Sequence, residues 1–266
     1  MPTGEQQALI TGLTRVLEAE PDVEAAWLAG SLGLGRGDAF SDVDVLALAS
    51  DGRASDVSAS LAARLPDVAT PVLVNPLFGG RVLSVVTEDW ERFDISIVEA
   101  EDLHRYNAAD LQVLFNKGER APPLRPDAPY RTAPDTLLKL VQEFLRVLGL
   151  AVVVVGREDY DLALSGVDHL RRMTFDLMLE ENGIAPWKRG GALHRNPFLT
   201  REQREAVASI PPQSATRESV IEAHRAFAAL FLPRAKRLAA EIGMTWPAEL
   251  EEAARRILLL KLRLRI

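Results

Sequence analysis

The stretch Gly30 to Ala49, G-S-L-G-L-G-R-G-D-A-F-S-D-V-D-V-L-A-L-A, decides how the chain is read. Gly30-Ser31 is a small turn carrying a hydroxyl, and Asp42 and Asp44 stand at the head of an apolar run, Val45 to Ala49. In a strand, side chains at i and i+2 leave the same face about 6.5–7 Å apart. Asp42 and Asp44 are therefore expected to point together, while Val43 and Val45 enter the opposite face. Like charges this close repel unless a cation lies between them. A Mg²⁺ ion holding nucleotide phosphates is the natural candidate.

A third carboxylate gives the first two their weight. Arg92-Phe93-Asp94-Ile95-Ser96-Ile97-Val98 alternates, so Phe93, Ile95 and Ile97 share a buried face and Asp94 lies on the other with Ser96. If this strand lies in one sheet with the Asp42–Asp44 strand, three carboxylates converge. Such a cluster can hold two Mg²⁺ ions, or one ion and a general base, as phosphoryl and nucleotidyl transfer require. Taken singly, a Gly-Ser turn, an Asp-x-Asp strand head and a polar residue in an alternating strand are all ordinary. Their order and combination make the pattern specific.

Around these motifs the N-terminal half alternates helices and strands. Glu5–Glu20 and Ala54–Leu65 have helical spacing. Val23–Ala29, Asp42–Ala49, Pro71–Val74, Val82–Thr87 and Arg92–Val98 are predicted strands, and Phe78-Gly79-Gly80-Arg81 suits a hairpin. A proline-rich segment, 121–134, breaks the pattern. Beyond it, helices are predicted over Thr136–Val155, Tyr160–Glu181, Thr200–Ala208, Thr216–Ile242 and Pro247–Leu264. The run Ala151–Val155 reads as a buried helix end or a buried strand, the helix being favoured. The predicted fold class is thus an α/β N-terminal domain, a mixed sheet with flanking helices over residues 1–120, then a linker and an all-α helical bundle over 135–266.

Composition narrows the function classes. The 266 residues carry a net charge of −7 and 47% hydrophobic side chains, enough for a proper core. The absence of cysteine excludes disulfides, thiolate metal sites and cysteine catalysis. Met1–Leu13 is too polar for a secretory signal, and no run of 18 apolar residues occurs, so a cytoplasmic protein without membrane partners is expected. Residues 1–130 hold 21 acidic and 10 basic side chains, and residues 131–266 hold 17 and 21. That balance argues against nucleic-acid binding and favours encounter with a small cationic substrate, unless the charge serves solubility alone. The four histidines lack zinc-ligand spacing.

Gly30-Ser31, Ser41-Asp42-Val43-Asp44 and Asp94 resemble the signature of the polymerase-β-type nucleotidyltransferase superfamily. Within it the chain is similar to the nucleotidyltransferases that modify aminoglycoside or lincosamide antibiotics. Leu111–Gly118 looks like the short strand and turn that close that domain, although Asn116 stands where relatives often carry an acid. The resemblance implies that Gly30 and Ser31 bind nucleotide phosphates and that Asp42, Asp44 and Asp94 hold metal. Asp94 would be ligand, base for the acceptor hydroxyl, or both. ATP or another nucleoside triphosphate is the implied co-substrate, with AMP passing to a hydroxyl of a small molecule, an aminoglycoside first and a lincosamide second. A protein hydroxyl as acceptor, and a non-catalytic nucleotide binder of the same fold, are the alternatives. A monomer and a homodimer are both compatible with it.

The C-terminal half offers further candidates. Arg172, and Lys188 in the cluster Lys188-Arg189-Gly190-Gly191…His194-Arg195, could contact phosphates, or be a helix face and solvated loop charge. Glu158-Asp159-Tyr160-Asp161 could receive ammonium groups and sugar rings, with Asp159, Tyr160 and Asp161 binding substrate, or simply favour a helix start. The basic stretch Arg255–Arg265 reads as an amphipathic closing helix rather than a membrane-binding one.

Overall fold

The computed structural model describes residues 2–125, 129–189 and 196–266. The chain divides into two compact units, residues 1–127 and 128–266.

The first unit is a six-stranded mixed sheet with helices. Helix α1 spans Gly4–Glu18, β1 Val23–Leu28, a one-turn helix α2 Gly30–Gly33, β2 Val43–Ala49 and α3 Ala54–Arg64. Strands β3 (Pro71–Leu77), β4 (Val82–Thr87), β5 (Arg92–Val98) and β6 (Gln112–Asn116) follow. The spatial order is β3-β4-β5-β2-β1-β6. Every neighbouring pair is antiparallel except β2 and β5, which run parallel. Parallel partners need a crossover. Here it consists of α3 and the antiparallel run β3-β4, which returns the chain as β5 beside β2. The consequence matters for function: the starts of β2 and β5, with their acidic residues, arrive at the same end of the sheet.

Alternation gives the sheet two buried faces. Val43, Val45 and Ala47 pack with Phe93, Ile95 and Ile97 against Leu9, Leu13 and Leu17 of α1 and Val57 and Leu61 of α3. Leu46 and Leu48 face the other way, with Trp27 and Val98 under Leu103 of the 100–111 segment.

The elements depart from the sequence expectations mainly at their ends. The first helix begins at Gly4 because Thr3 and Gln6 form a capping box. The Gly30-Ser31 turn is a full helical turn, and the second strand starts at Val43, one residue after Asp42. Strand β3 continues past Val74 through Pro76 to Leu77. It is an edge strand, where a missing N–H can face solvent without breaking a ladder.

In the second unit, α4 (Pro134–Gly156), α5 (Tyr160–Glu181), α6 (Arg201–Ala208), α7 (Arg217–Ile242) and α8 (Ala248–Leu262) form an all-α assembly. Helix α4 absorbs Ala151–Val155, whose Ala151 and Val155 enter the core. Thr200 and Thr216 cap α6 and α7, and Gly243 ends α7 in the left-handed conformation. Helix α8 ends at Leu262, two residues short of expectation, because Arg263 turns left-handed. Phe144 and Phe231 stack at 3.7 Å between ring centroids, both fully buried beside Phe227 and Leu148. The buried Glu180 at the end of α5 accepts from the Thr132 and Tyr130 hydroxyls at 2.6 and 2.9 Å and pairs with Arg189 at 2.5 Å. It thereby ties residues 130–132 and the 186–189 turn to one helix end. Among the described residues no helix is long and apolar enough to cross a membrane.

Emptying the centre of the helical core is expected to be costly. Phe231→Ala should lower stability by about 3–5 kcal/mol, read from urea unfolding followed by far-ultraviolet circular dichroism. A loss below about 1 kcal/mol would contradict the packing described.

Candidate active site

The parallel ladder between β2 and β5 sets the site. Its register pairs Val43 with Phe93 and Asp44 with Asp94. Since Val43 and Phe93 enter the helix-covered core, Asp44 and Asp94 both leave the opposite face, on adjacent strands about 4.8 Å apart. The row extends to Ser84 on β4, the register partner of Asp94. Asp42 lies just before β2 and stands 3.9 Å from the Arg92 guanidinium at the start of β5. The three carboxylates therefore share one end of the sheet.

Their proximity is visible in the protonation of Asp44. Its pKa is raised from 3.8 to about 6, first by burial and then by the negative charges of Asp42 and Asp94. The positive charge of Arg92 offsets part of the rise. Asp44 is thus a half-buried group whose ionised form lacks a sufficient counter-charge within the protein.

The Gly30 turn is built against that same carboxylate. Gly30 has φ +59°, and a Cβ there would lie 1.8 Å from Asp44 Oδ2. Only glycine satisfies both the backbone conformation and the space. The amide of Ala29 donates to the Asp44 carbonyl at 2.8 Å, which clips the turn to β2. At Gly33 a Cβ would sit 2.4 Å from the Leu28 carbonyl, so this residue lets the turn close onto the end of β1. Ser31 follows Gly30 at the start of the turn, half-buried.

The loop leading into Asp42 is held from α1. The buried Gln6 side chain donates to the carbonyls of Asp38 and Ser41 at 2.9 and 2.8 Å. Within the loop, Asp38 Oδ1 accepts from the Phe40 amide and the Ser41 hydroxyl, each at 3.0 Å. Arg92 adds a bond to the Phe40 carbonyl at 3.0 Å. Asp42 is presented by a tethered loop.

A set of carboxylate oxygens with unrelieved negative charge suits a hard divalent cation, and Asp42, Asp44 and Asp94 are the residues that could hold one. Among the described residues no three His, Cys, Asp or Glu side chains already surround a common point.

Gly30, Ser31, Asp42, Asp44 and Asp94 thus all belong to the α/β unit, and Gly30, Asp42 and Asp94 each neighbour Asp44. The remaining sequence candidates belong to the helical unit. Arg172 pairs with Asp168 of its own helix at 2.6 Å, the helix-face arrangement. Asp159 caps α5, accepting from the Leu162 amide at 3.2 Å, with Tyr160 and Asp161 in the first turn. Lys188 lies in the short 186–188 turn, while Gly190, Gly191, His194 and Arg195 of its cluster lie outside the described residues. Sequence reading missed three contributors. Gln6 was legible only as a member of the first predicted helix, and Gly33 as one glycine among several. Arg92 was legible only as the first residue of a strand.

No family model matches the sequence, and no curated protein matches it. Among solved structures, the chain is similar to an aminoglycoside 6-adenyltransferase from Bacillus subtilis, at 15% identity and a TM-score of 0.43, over 96% of this chain and 97% of that one. It is also similar to a nucleotidyltransferase-like protein from Exiguobacterium sibiricum, at 15% identity and a TM-score of 0.36, over 98% and 89% of the two chains.

The raised pKa of Asp44 carries a pH prediction for metal-free protein. Because its folded value lies above 3.8, the protonated form favours the fold; that stabilisation is full below about pH 4 and is lost as pH rises through about 6. Asp44→Asn, which carries no charge to lose, should therefore exceed the parent in stability at pH 8 by on the order of 2 kcal/mol in the presence of EDTA. The gap should close near pH 4. Urea unfolding at the two pH values reads both, and a variant less stable at pH 8 would contradict the electrostatics described.

Proposed function

We propose that the protein is a Mg²⁺-dependent nucleotidyltransferase that moves AMP from ATP onto a hydroxyl of a small molecule, an aminoglycoside being the first acceptor class. The observation that carries this reading is the side-by-side placement of Asp44 and Asp94 on parallel strands, with Gly30 pressed against Asp44. Phosphate chemistry needs a close backbone approach next to a metal-binding carboxylate set, and these residues supply both. The sequence resemblance and the acidic balance of residues 1–130 support a cationic acceptor.

In this reading Asp42, Asp44 and Asp94 hold the cations, and the Gly30-Ser31 turn receives the phosphates through backbone N–H groups and the Ser31 hydroxyl. Bound Mg²⁺ would neutralise negative charge on the phosphates and on the departing pyrophosphate. The acceptor hydroxyl gives its proton to a carboxylate, for which Asp94 is placed, and its oxygen forms a bond to the α-phosphorus. The bond from the α-phosphorus to the bridging oxygen breaks, and pyrophosphate leaves with that electron pair. Asp94 serves as ligand, base or both. At pH 7–8 Asp44, with its pKa of about 6, is ionised and able to hold a cation. Protein groups here act chiefly by positioning and charge stabilisation.

The test is pyrophosphate release from ATP and Mg²⁺ across a panel of aminoglycosides and lincosamides, with mass spectrometry of each acceptor. One compound should gain a single AMP, and Asp94→Asn should slow that reaction by about 100-fold or more. EDTA should abolish it. Undiminished transfer by Asp42→Asn and Asp94→Asn would sink the assignment.

A further inference from the structure

Arg92 is a basic group beside Asp42 whose charge also reaches Asp44, and it makes two kinds of contact. One guanidinium nitrogen lies 3.9 Å from Asp42 Oδ2, and the other donates to the Phe40 carbonyl at 3.0 Å. Both the Arg92 and Asp42 side chains remain more than one-third exposed, so the ion pair is loose and readily exchanged. On β5 Arg92 also stands two residues before Asp94, on the same face. The guanidinium thus faces Asp42 from its own strand, with Asp44 and Asp94 behind it on the sheet.

This placement says what Arg92 does before and after the site fills. We propose that Arg92 is a resident counter-cation: it holds Asp42 in the metal-free protein and, when Asp42 turns to a divalent cation, is released to bind the nucleotide's phosphate chain. The inference rests on the reading of Asp42, Asp44 and Asp94 as cation ligands, and it assigns Arg92 as a nucleotide-binding residue. A guanidinium suits the exchange, since its planar donor fork pairs with carboxylate and phosphate alike. The bond to the Phe40 carbonyl uses a different guanidinium nitrogen from the one that faces Asp42. It keeps the 38–41 loop in place whichever anion the rest of the group contacts.

The roles of charge and tether can be separated by three variants, Arg92→Ala, Arg92→Gln and Arg92→Lys, each checked for folding by circular dichroism. Mn²⁺ binding to nucleotide-free protein at pH 8, read by electron paramagnetic resonance, should tighten about three- to tenfold in both Arg92→Ala and Arg92→Gln. Arg92→Lys should keep the parental value. In saturating Mg²⁺, a non-hydrolysable ATP analogue should bind about tenfold more weakly to Arg92→Ala and Arg92→Gln, with partial rescue in Arg92→Lys. Mn²⁺ affinity unchanged or weakened in Arg92→Gln, or analogue binding unchanged, would overturn the proposal while leaving the metal site standing. Absence of Mn²⁺ binding in the parent and all three variants would overturn the underlying site assignment and this inference with it.

Discussion

The half-buried placement of Asp44 beside Asp42 and Asp94 is the constraint around which the α/β unit is arranged. Strands β2 and β5 place these two carboxylates directly beside one another, and Asp42 adds a third negative charge at the same end of the sheet. A fold gains nothing in stability from such a cluster: the pKa of Asp44 rises to about 6, first because burial penalises its charged form and then because Asp42 and Asp94 repel it. The surroundings nonetheless hold the arrangement firmly. The missing side chain of Gly30 leaves the space that the Asp44 carboxylate occupies against the turn, and Gln6 fixes the loop that presents Asp42. Strain held by several independent contacts is a mark of functional sites.

Much of this was legible in the sequence, because it depends on short-range periodicity. The i, i+2 spacing of Asp42 and Asp44 and the alternation of Phe93, Ile95 and Ile97 fix which face each acid takes once a strand forms. The two-unit layout was legible for the same reason, since strand and helix periods differ. What could not be read was pairing. Nothing local in Val43–Ala49 or Arg92–Val98 says that these strands are neighbours, or that they run parallel in register with Asp44 against Asp94. The tethers were hidden for a related cause. Gln6 lies 32 and 35 residues from the carbonyls it holds, and Arg92 lies 52 residues from Phe40. Contacts at that separation leave no periodic trace.

The helical unit shows the opposite balance, with several of its charges occupied structurally. Glu180 is buried among Thr132, Tyr130 and Arg189, and Glu251 collects Lys236, Arg255 and the Trp246 indole. Arg234 pairs with Glu181 and Glu202 between α5, α6 and α7. Such networks account for residues like Arg172 and Asp159, whose partners lie on their own helix or at its cap. Charge in this unit organises helix ends and helix contacts, whereas the acidic charge at the heads of β2 and β5 is gathered with too little compensation.

The claim that this uncompensated charge awaits a divalent cation is tested most directly by nuclear magnetic resonance of protein labelled with ¹³C at the aspartate carboxyls. In metal-free protein one resonance, absent from Asp44→Asn, should titrate near pH 6, and saturating Mg²⁺ should move that titration below pH 4. A resonance that titrates at the ordinary aspartate position, or one near pH 6 that Mg²⁺ leaves in place, would contradict the account.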